Sequence, residues 1–551
     1  MRGRADRHSL TASVVRVPVA CYWWHMATAA ERVEQLPISK ARLSVNLSTA
    51  DDEAFLRLVW TLNALQTGRA EEASRFLNGY PPEAATEGIL GPHAIYPWEL
   101  ETLVNELLTT AKGPYRIFNY RDWNTIGSLV NQLRALENAE YGARRGEVNI
   151  LVEMGRIGAR QFPWQRGYVG IPSLYRNAYI YGQGECAAYL DQAADLTTSD
   201  MTLVGFSLLA VFYPEPAIRP ATDLKLIHEW GITPETLRRT LDRIARPIAD
   251  LRREASLLRD IEMVTAYKPS ILRQFPCLRV GHRGRTLVAP LPDLIMDRVT
   301  NGLFYDVIGG GGPVREEIGR RFEDYSLALL SQMLHDARFV PEATYGTRLG
   351  PIATPDILMR VEDGAVQLAI ECKASRMSVT ARFGDAPEED RGYEEIAKGV
   401  MQLWRFFAHC RQQVAPDQLA ADAQGMILTM DEWFAGRSTV IPQIIGRANE
   451  LADASAHEIP AVDRRPVAFC TISELEDVLA TATPSSLMET VRIGSGDRAG
   501  WIFSILHGET EAEKAAPKDY PFEQALSDLL PWHARLTEVT GDGEKAQRQL
   551  D

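Results

Sequence analysis

The sequence predicts a multidomain protein of the α + α/β class: an N-terminal α-rich domain, then a domain of αβββαβ order with a central mixed sheet. Three observations support this prediction. The chain has 551 residues, more than one domain of ordinary size contains. Its first half shows apolar residues at helical spacing between Pro- and Gly-containing turns. After a run of glycines, the pattern changes to alternating strands and helices.

The composition, with 45% hydrophobic and 24% charged residues, excludes collagen-like, wholly disordered and polytopic membrane proteins. Because 59 basic residues stand against 73 acidic ones, the net charge is -14, and contact with a polyanion requires a local basic patch. The six cysteines form no Cys-x-x-Cys pair, so neither a zinc site nor a disulfide framework is indicated. No apolar stretch approaches the roughly 18 residues of a membrane span. We therefore expect a cytoplasmic protein that does not enter a membrane.

Residues 1–40 are predicted to be a disordered leader. The apolar run at 14–24 has the outline of a signal peptide, but Arg16 and Pro18 interrupt it. A start codon assigned too early, with Met26 as the true start, is the alternative.

Residues 41–262 are predicted to form the α-rich domain, with helices at 53–65, 99–111, 123–136 and 234–246. The last of these carries arginines around much of its circumference: Arg238, Arg239, Arg243 and Arg246. It is either a helix that faces nucleic acid or a solvated amphipathic helix, and the pattern favours the second interpretation.

Residues 263–312 are predicted to link the two domains through short strands and turns, with strands at 286–289 and 303–308. Four consecutive glycines at 309–312 close this segment, and Pro313 is well placed to begin a helix. The run lacks the Gly-Lys-Ser/Thr ending of a phosphate-binding loop, which favours a flexible hinge.

Residues 313–483 supply the αβββαβ order. The predicted elements are a helix at 314–336, strands at 338–345, 356–361 and 366–374, a helix at 393–412, a strand at 425–430, a helix at 440–454, a strand at 467–471 and a helix at 473–481. Residues 484–551 form a C-terminal extension that ends in a charged tail, which is expected to fray.

Three charged residues lie on two adjacent strands of this domain. Side chains alternate along a strand, so Glu371 and Lys373 share one face, while Leu368, Ile370 and Cys372 share the apolar face. Asp356 follows Pro355 on the neighbouring strand, across a turn at 362–364, and strands lie only about 4.8 Å apart. The three charged groups are therefore expected to converge. The alternative is an edge strand with two solvated charges.

Two carboxylates at one point repel each other unless a cation lies between them, and hard oxygen ligands suit Mg²⁺ or Mn²⁺. We expect Asp356 and Glu371 to bind the metal, with the carbonyl of Cys372 as a further ligand. Metal charge would offset the carboxylates and let the Lys373 amine position or deprotonate a water. Arginine could not replace it, because arginine does not lose its proton in proteins.

Two further residues are candidates for this site. Glu323 shares a helical row with Leu327 and Leu330, which would turn it inward toward the metal or the attacking water. Equally, it could be exposed and paired with Arg320 or Arg321. Gln402, in the helix after the three strands, is a candidate for contact with substrate phosphate or a strand edge.

The stretch from 315 to 471 resembles the PD-(D/E)xK nuclease superfamily, which has the restriction-endonuclease-like fold. The resemblance rests on Pro355, Asp356, Glu371 and Lys373, with Glu323 at the position of the family's helix-borne acid. It implies a divalent-metal-dependent phosphodiesterase that usually acts on DNA, in which Asp356 and Glu371 bind metal, Lys373 helps to activate water and Glu323 assists. The RecB-like branch has Gln-x-x-x-Tyr in the next helix. Here Gln402 is retained, and Phe406 replaces the tyrosine.

The expected function is therefore a DNA nuclease, by family analogy in restriction or antiphage defence, with DNA repair as an alternative. RNA remains open as a substrate, and a homodimer or an activating partner protein is compatible with this function. The competing interpretation is a catalytically inactive nuclease fold that binds nucleic acid or protein. If DNA binds, its groove is expected near the basic residues Arg348, Arg376, Arg382 and Lys398.

Overall fold

The computed structural model describes residues 29–86, 88–144, 150–259, 263–361, 364–384, 390–434, 440–536 and 538. Most of the predicted leader, the alternative start at Met26, the first part of the predicted turn at 362–364 and the charged tail lie outside these residues. The described chain is a mixed α/β protein, as predicted.

The first half is mainly helical. Its elements are α1 (Ala29–Thr49), α2 (Asp52–Gln66), α3 (Ala70–Ser74), α4 (Glu83–Thr86), α5 (Pro97–Thr109), α6 (Trp123–Ala143), α7 (Ile150–Arg166), α8 (Ile171–Tyr181), α9 (Gly184–Ala194), α10 (Thr198–Phe212), β1 (Ala217–Ile218), α11 (Pro220–Asp223), α12 (Pro234–Ile244), β2 (Ala245–Pro247) and α13 (Ile248–Arg259). The four helices predicted in this region are confirmed as α2, α5, α6 and α12. Side chains cap several of them, as when Asp122 accepts a hydrogen bond from the Thr125 amide at the start of α6.

Helix α12 is arranged as a solvated amphipathic helix. Leu237 and Leu241 are buried, whereas Arg238 and Arg239 pair with Glu235 on the exposed side of the same helix. These arginines therefore already have acidic partners within the chain.

The linking segment contains α14 (Ile271–Gln274), β3 (Cys277–Val280), β4 (Thr286–Val288), α15 (Asp293–Val299) and α16 (Leu303–Val307). Strands β1 to β4 form a small sheet of order β1-β4-β3-β2. The predicted strand at 286–289 is confirmed, but the one at 303–308 is wrong. That stretch is α16 because Leu303 and Val307, four residues apart, are both fully buried on one helical face.

The four glycines have specific conformational and packing roles. A Cβ on Gly309 would lie 2.5 Å from the Tyr189 hydroxyl, and Gly310 lies against the same ring. Gly311 has a φ of 77°, and Gly312 begins the next helix. Close packing on Tyr189 therefore explains two of these glycines, and the predicted hinge motion remains a prediction.

The second half contains α17 (Gly312–Met333), β5 (Arg338–Pro341), β6 (Thr344–Thr347), β7 (Gly350–Ala353), β8 (Ile357–Arg360), β9 (Val366–Lys373), α18 (Val379–Phe383), α19 (Arg391–Arg411), β10 (Leu419–Thr429), α20 (Val440–Asp453), β11 (Val467–Thr471), α21 (Ile472–Leu479), α22 (Pro484–Gly494), α23 (Phe503–Gly508) and α24 (Glu523–Leu529). A five-stranded sheet has the order β11-β10-β9-β8-β5. Strands β9, β10 and β11 are parallel, whereas β8 is antiparallel to both of its neighbours, so the sheet is mixed as predicted.

The main differences from the prediction concern strand ends. The predicted strand at 338–345 is divided: β5 ends at Pro341, which has no N–H to extend the ladder, and β6 pairs with β7 in a separate hairpin. Strand β10 begins at Leu419, six residues before the predicted start at 425, and its register with β9 shifts between Leu419 and Gln424.

Helices cover both faces of the five-stranded sheet. On one face, Leu368, Ile370 and Cys372 of β9 join a large hydrophobic core that continues through α17 into the N-terminal helices. The other face, which includes Ala369, packs against α19 and α20 in a second core. The two halves of the described chain therefore share one hydrophobic core.

No single helix in the described ranges is long and apolar enough to cross a membrane. Helices α9 and α10 pass that test only as a pair, bent by 70° at the break between them.

Candidate active site

Asp356 and Glu371 lie opposite each other on adjacent strands. In the antiparallel pair, Ile357 is opposite Ile370, so the residues one step outward on each strand are Asp356 and Glu371. The backbone N–H of Cys372 donates a 2.6 Å hydrogen bond to Asp356 Oδ2, which fixes this carboxylate against β9. The predicted convergence of the two acids is therefore present.

Glu371 and Lys373 share one face of β9, as the alternation predicted. Lys373 Nζ lies 2.8 Å from Glu371 Oε1 and 3.4 Å from Gln402 Oε1, so Gln402 of α19 joins the site. The Glu371 residue is only 3% exposed, and the Lys373 side chain is 17% exposed. The two charged side chains lie between the sheet and helix α19, and β9 is a central strand. This contradicts the alternative of two solvated charges on an edge strand.

Gly399 allows α19 to lie this close to the two charged residues. A Cβ there would be 2.8 Å from Lys373 Cε and 3.2 Å from Glu371 Cγ, so any larger residue would have to displace them. Sequence reasoning missed Gly399. A glycine inside a helical pattern, three residues before Gln402, was the available signal.

Glu323 interacts electrostatically with Asp356 and Glu371, and these three residues are called the acidic cluster below. Glu323 does not pair with the neighbouring arginines. Arg320 pairs with Glu317 and Asp324, and Arg321 pairs with Glu317. Burial raises the pKa of Glu323 to about 7, with further contributions from the negative charges of Glu342 and Glu371. The inward orientation is therefore the one adopted.

Glu342 is a second residue that sequence reasoning missed. It lies between β5 and β6 and is exposed, and its charge raises the pKa values of both Glu323 and Glu371. No local pattern indicated it, because residue 342 fell within the single strand predicted at 338–345.

The site has more acidic than basic groups. Burial raises the pKa of Asp356 to about 8, with added contributions from Glu371 and Glu323, and burial also raises the pKa of Glu371. Burial alone would lower the pKa of Lys373, but its pairing with Glu371 outweighs this, and the pKa lies above its usual value. Lys373 is therefore held as an ammonium that only partly offsets the carboxylates.

This donor set fits a hard divalent cation that keeps part of its hydration shell. Within the described residues, no three His, Cys, Asp or Glu side chains are grouped so as to hold a metal ion by themselves. Asp356 and Glu371 supply two carboxylates, and Mg²⁺ is commonly bound through one or two carboxylates with several waters retained. A cation would also relieve the repulsion that raises these pKa values. The Cys372 carbonyl remains a predicted further ligand.

Two of the four basic residues predicted to line a DNA groove have other roles. Arg376 is largely buried, 3.0 Å from the Tyr181 hydroxyl and 3.9 Å from Asp431, so its guanidinium already has partners within the protein, and a DNA groove near it stays a prediction. Arg382 pairs with the same Asp431 at 3.2 Å. Both side chains attach the segment after β9 to Asp431 at the end of β10, and Arg376 also contacts Tyr181 of α8.

The other two basic residues lie at the surface. Lys398 pairs with Glu395 on α19, and its side chain is 43% exposed. Arg348 is exposed in the turn between β6 and β7. Their contact with DNA remains a prediction.

The comparisons with known proteins give no match. No family model matches the chain, and neither a curated protein nor a solved structure does. Any functional assignment therefore rests on the residues and their geometry.

Proposed function

We propose that the protein is a divalent-metal-dependent nuclease that hydrolyses DNA phosphodiester bonds. The observation that carries this proposal is one cluster of side chains. Asp356 lies opposite Glu371, and Lys373 is held between Glu371 and Gln402. Buried carboxylates with raised pKa values, next to a fixed ammonium, are typical of a functional site.

The order of elements around the cluster also supports the proposal. Helix α17 with Glu323 comes first, then β5, β8 with Asp356 just before it, β9, and α19 with Gln402, followed by the parallel strand β10. When the β6–β7 hairpin and the short helix α18 are set aside, this order is compatible with the αβββαβ arrangement that the resemblance implies.

Each residue has a proposed part in hydrolysis. A divalent cation held by Asp356 and Glu371 would supply positive charge where negative charge develops on the phosphate. The Lys373 ammonium donates hydrogen bonds that orient the attacking water and the phosphate oxygen. Because the ion pair keeps Lys373 protonated, Glu323 is the residue proposed to accept the proton from that water.

Cleavage assays test this proposal. Supercoiled plasmid and end-labelled single strands would be incubated with the full-length protein and Mg²⁺, Mn²⁺ or EDTA. We expect metal-dependent cutting by the wild type, none by Asp356→Asn, and full activity in Asp422→Asn, which changes an exposed acid of β10. Equal cutting by wild type and Asp356→Asn would disprove the assignment.

A second candidate function is a nuclease-like fold that only binds nucleic acid or protein. The observation in its favour is that the charged groups have protein partners already: Cys372 N–H with Asp356, and Lys373 with Glu371. Calorimetric titration with Mn²⁺ separates the two candidates. Mn²⁺ binding that is lost in Asp356→Asn supports the nuclease. If the wild type neither binds Mn²⁺ nor cuts DNA, the module that only binds nucleic acid or protein is supported instead.

The biological setting follows from the resemblance alone. Restriction or antiphage defence is the proposed role, with DNA repair as the alternative, and assembly as a homodimer or activation by a partner protein is compatible with either. If the plasmid is linearised without a nicked intermediate, two sites act together, which would support a dimer.

A further inference from the structure

A pocket of about 440 Å³ lies between the N-terminal helices and the segment that follows β9. Helix α5 and the 266–275 segment contribute much of the lining on one side, and residues 377–383 contribute part of the other. Its volume is within the range of small-molecule sites, about 300–1,000 Å³. The residues of the candidate active site do not line it.

The lining is strongly basic. Six arginines and one lysine line the pocket, against two carboxylates, Glu101 and Asp306. Five of the six arginines already have carboxylate partners: Arg243 and Arg298 pair with Asp306, Arg273 with Glu101 and Asp297, Arg160 with Glu137, and Arg382 with Asp431. The lining nevertheless has an excess of positive charge, which is notable in a chain whose net charge is -14.

Arg246 is the cation best placed to bind an anion. Among the described residues, no carboxylate lies within ion-pair distance of its guanidinium, which donates to the backbone carbonyl groups of Asp242 and Ala245. The guanidinium lies over the Phe275 ring, 4.5 Å from the centroid, and this contact together with the two hydrogen bonds restricts its position. A guanidinium fixed in this way suits phosphate, which it can bind through paired hydrogen bonds.

Two buried polar atoms belong to residues of the same lining. In the part of the chain that the structure describes, Arg160 Nε and Ser270 Oγ have no hydrogen-bond partner. Buried polar atoms are ordinarily paired, and a missing partner often marks the place of a water, ion or ligand. These two unpaired atoms therefore mark polar groups at the wall of the pocket that the protein itself leaves unsatisfied.

The remaining lining is apolar and aromatic. Trp98, Phe275, Phe383, Met377 and Val379 contribute to it. Flat apolar surface beside a set of arginines fits a ligand that joins a planar ring to a phosphate. We propose that this pocket binds a small phosphate ester with a planar aromatic part, of the nucleotide class.

Calorimetric titration in EDTA tests this proposal, because EDTA removes metal-mediated binding at the candidate active site. The probes are ATP, GTP and inorganic pyrophosphate, with adenosine as the uncharged control. We expect at least one of the two nucleotides to bind, more tightly than adenosine and pyrophosphate. Arg246→Gln, which removes the guanidinium and its charge but keeps a shorter polar side chain, should bind about tenfold more weakly.

Matched variants make the result specific. Arg253→Gln changes a 76% exposed arginine of α13 outside the lining and should bind as the wild type does. Asp356→Asn should also bind normally, which separates this pocket from the candidate active site. Absence of binding by both nucleotides, or equal binding by Arg246→Gln and wild type, would overturn the proposal.

Discussion

Two clusters of buried charge lie at the ends of the neighbouring parallel strands β9 and β10, and their charges are balanced differently. In the first cluster, Asp356, Glu371 and Glu323 have Lys373 as their close cation. In the second, Asp431 lies just after β10 between Arg376 and Arg382, and it also accepts a hydrogen bond from the Met377 amide. The clusters are adjacent, because the Met430 amide donates to the Lys373 carbonyl.

The pKa values of Asp431 and Asp356 shift in opposite directions because of this difference in charge balance. Burial acts to raise the pKa of Asp431, but Arg382 and Arg376 outweigh it and hold the pKa below its usual value. At Asp356, burial and like charges act together, and they raise the pKa to about 8. A charge-balanced cluster stabilises the fold without help, whereas an unbalanced one favours a cation from outside. We therefore interpret the Asp431 cluster as structural and the Asp356 cluster as functional.

Removing the amine of Lys373 should have the largest effect. Lys373→Met keeps the aliphatic stem that lies against Gly399, and we expect metal-dependent cleavage to fall by about 10²- to 10⁴-fold because water and phosphate lose their fixed donor. Cleavage rates under single turnover measure this. Lys225→Met, which changes an exposed lysine of the N-terminal half, is the control, and a Lys373→Met rate equal to it would contradict a functional first cluster.

Neutralising Asp431 should lower stability rather than chemistry. Asp431→Asn leaves Arg376 and Arg382 without their shared carboxylate, and we expect the free energy of unfolding to fall by about 3 kcal/mol. Urea denaturation measures it. Asp324→Asn, which breaks an exposed pair with Arg320, should cost less than about 1 kcal/mol. Equal losses of unfolding free energy in the two variants would contradict a structural role for the second cluster.

Filling the space at Gly399 should affect the first cluster through its packing. In Gly399→Ala, the new methyl group displaces Lys373 and Glu371, and we expect a loss of about 1–3 kcal/mol in stability together with reduced cleavage. Gly446→Ala on α20 is the matched control, because a Cβ there has open space and should stabilise the helix slightly. If Gly399→Ala behaves like this control, the close approach of α19 is not required.

The smallest expected effect is the contribution of Glu323 to the pH dependence of the free energy of unfolding. In the metal-free protein, its pKa is about 7 when folded, against an ordinary value of 4.5, so the native state holds a proton that the unfolded state releases. Stability should therefore fall as pH rises from about 4.5 to 7. With EDTA present, wild type should lose about 2 kcal/mol more than Glu323→Gln between pH 5 and pH 7.5. Glu316→Gln, an exposed acid of the same helix, should follow wild type. Parallel pH curves for wild type and Glu323→Gln would show that Glu323 is not part of the unbalanced cluster.

The sequence predicted what depends on strand periodicity. Alternation placed Glu371 and Lys373 on one face, and the order of two adjacent strands placed Asp356 beside them. The composition of 303–308, with aromatic and β-branched residues, suggested a strand, but burial of Leu303 and Val307 produces a helix.

Features that depend on distance between elements could not be predicted. Gly399 matters because of how closely a helix approaches a strand, and no local pattern contains that distance. Arg376 contacts Tyr181, which lies 195 positions away along the chain, so its basic character alone suggested a role in binding nucleic acid. Glu342 joins the acidic cluster because β5 ends at Pro341 and places it beside the sheet.

The shared hydrophobic core has a consequence for how this chain can be divided. Leu368 and Ile370 pack into the same core as the N-terminal helices, and the C-terminal Trp532 donates a hydrogen bond to Thr202 of α10. A fragment that starts at residue 313 would present that apolar face to water and would be expected to aggregate. The second half is therefore not expected to fold when it is transferred alone, and recombination or truncation at the glycine run would yield neither half as a stable product.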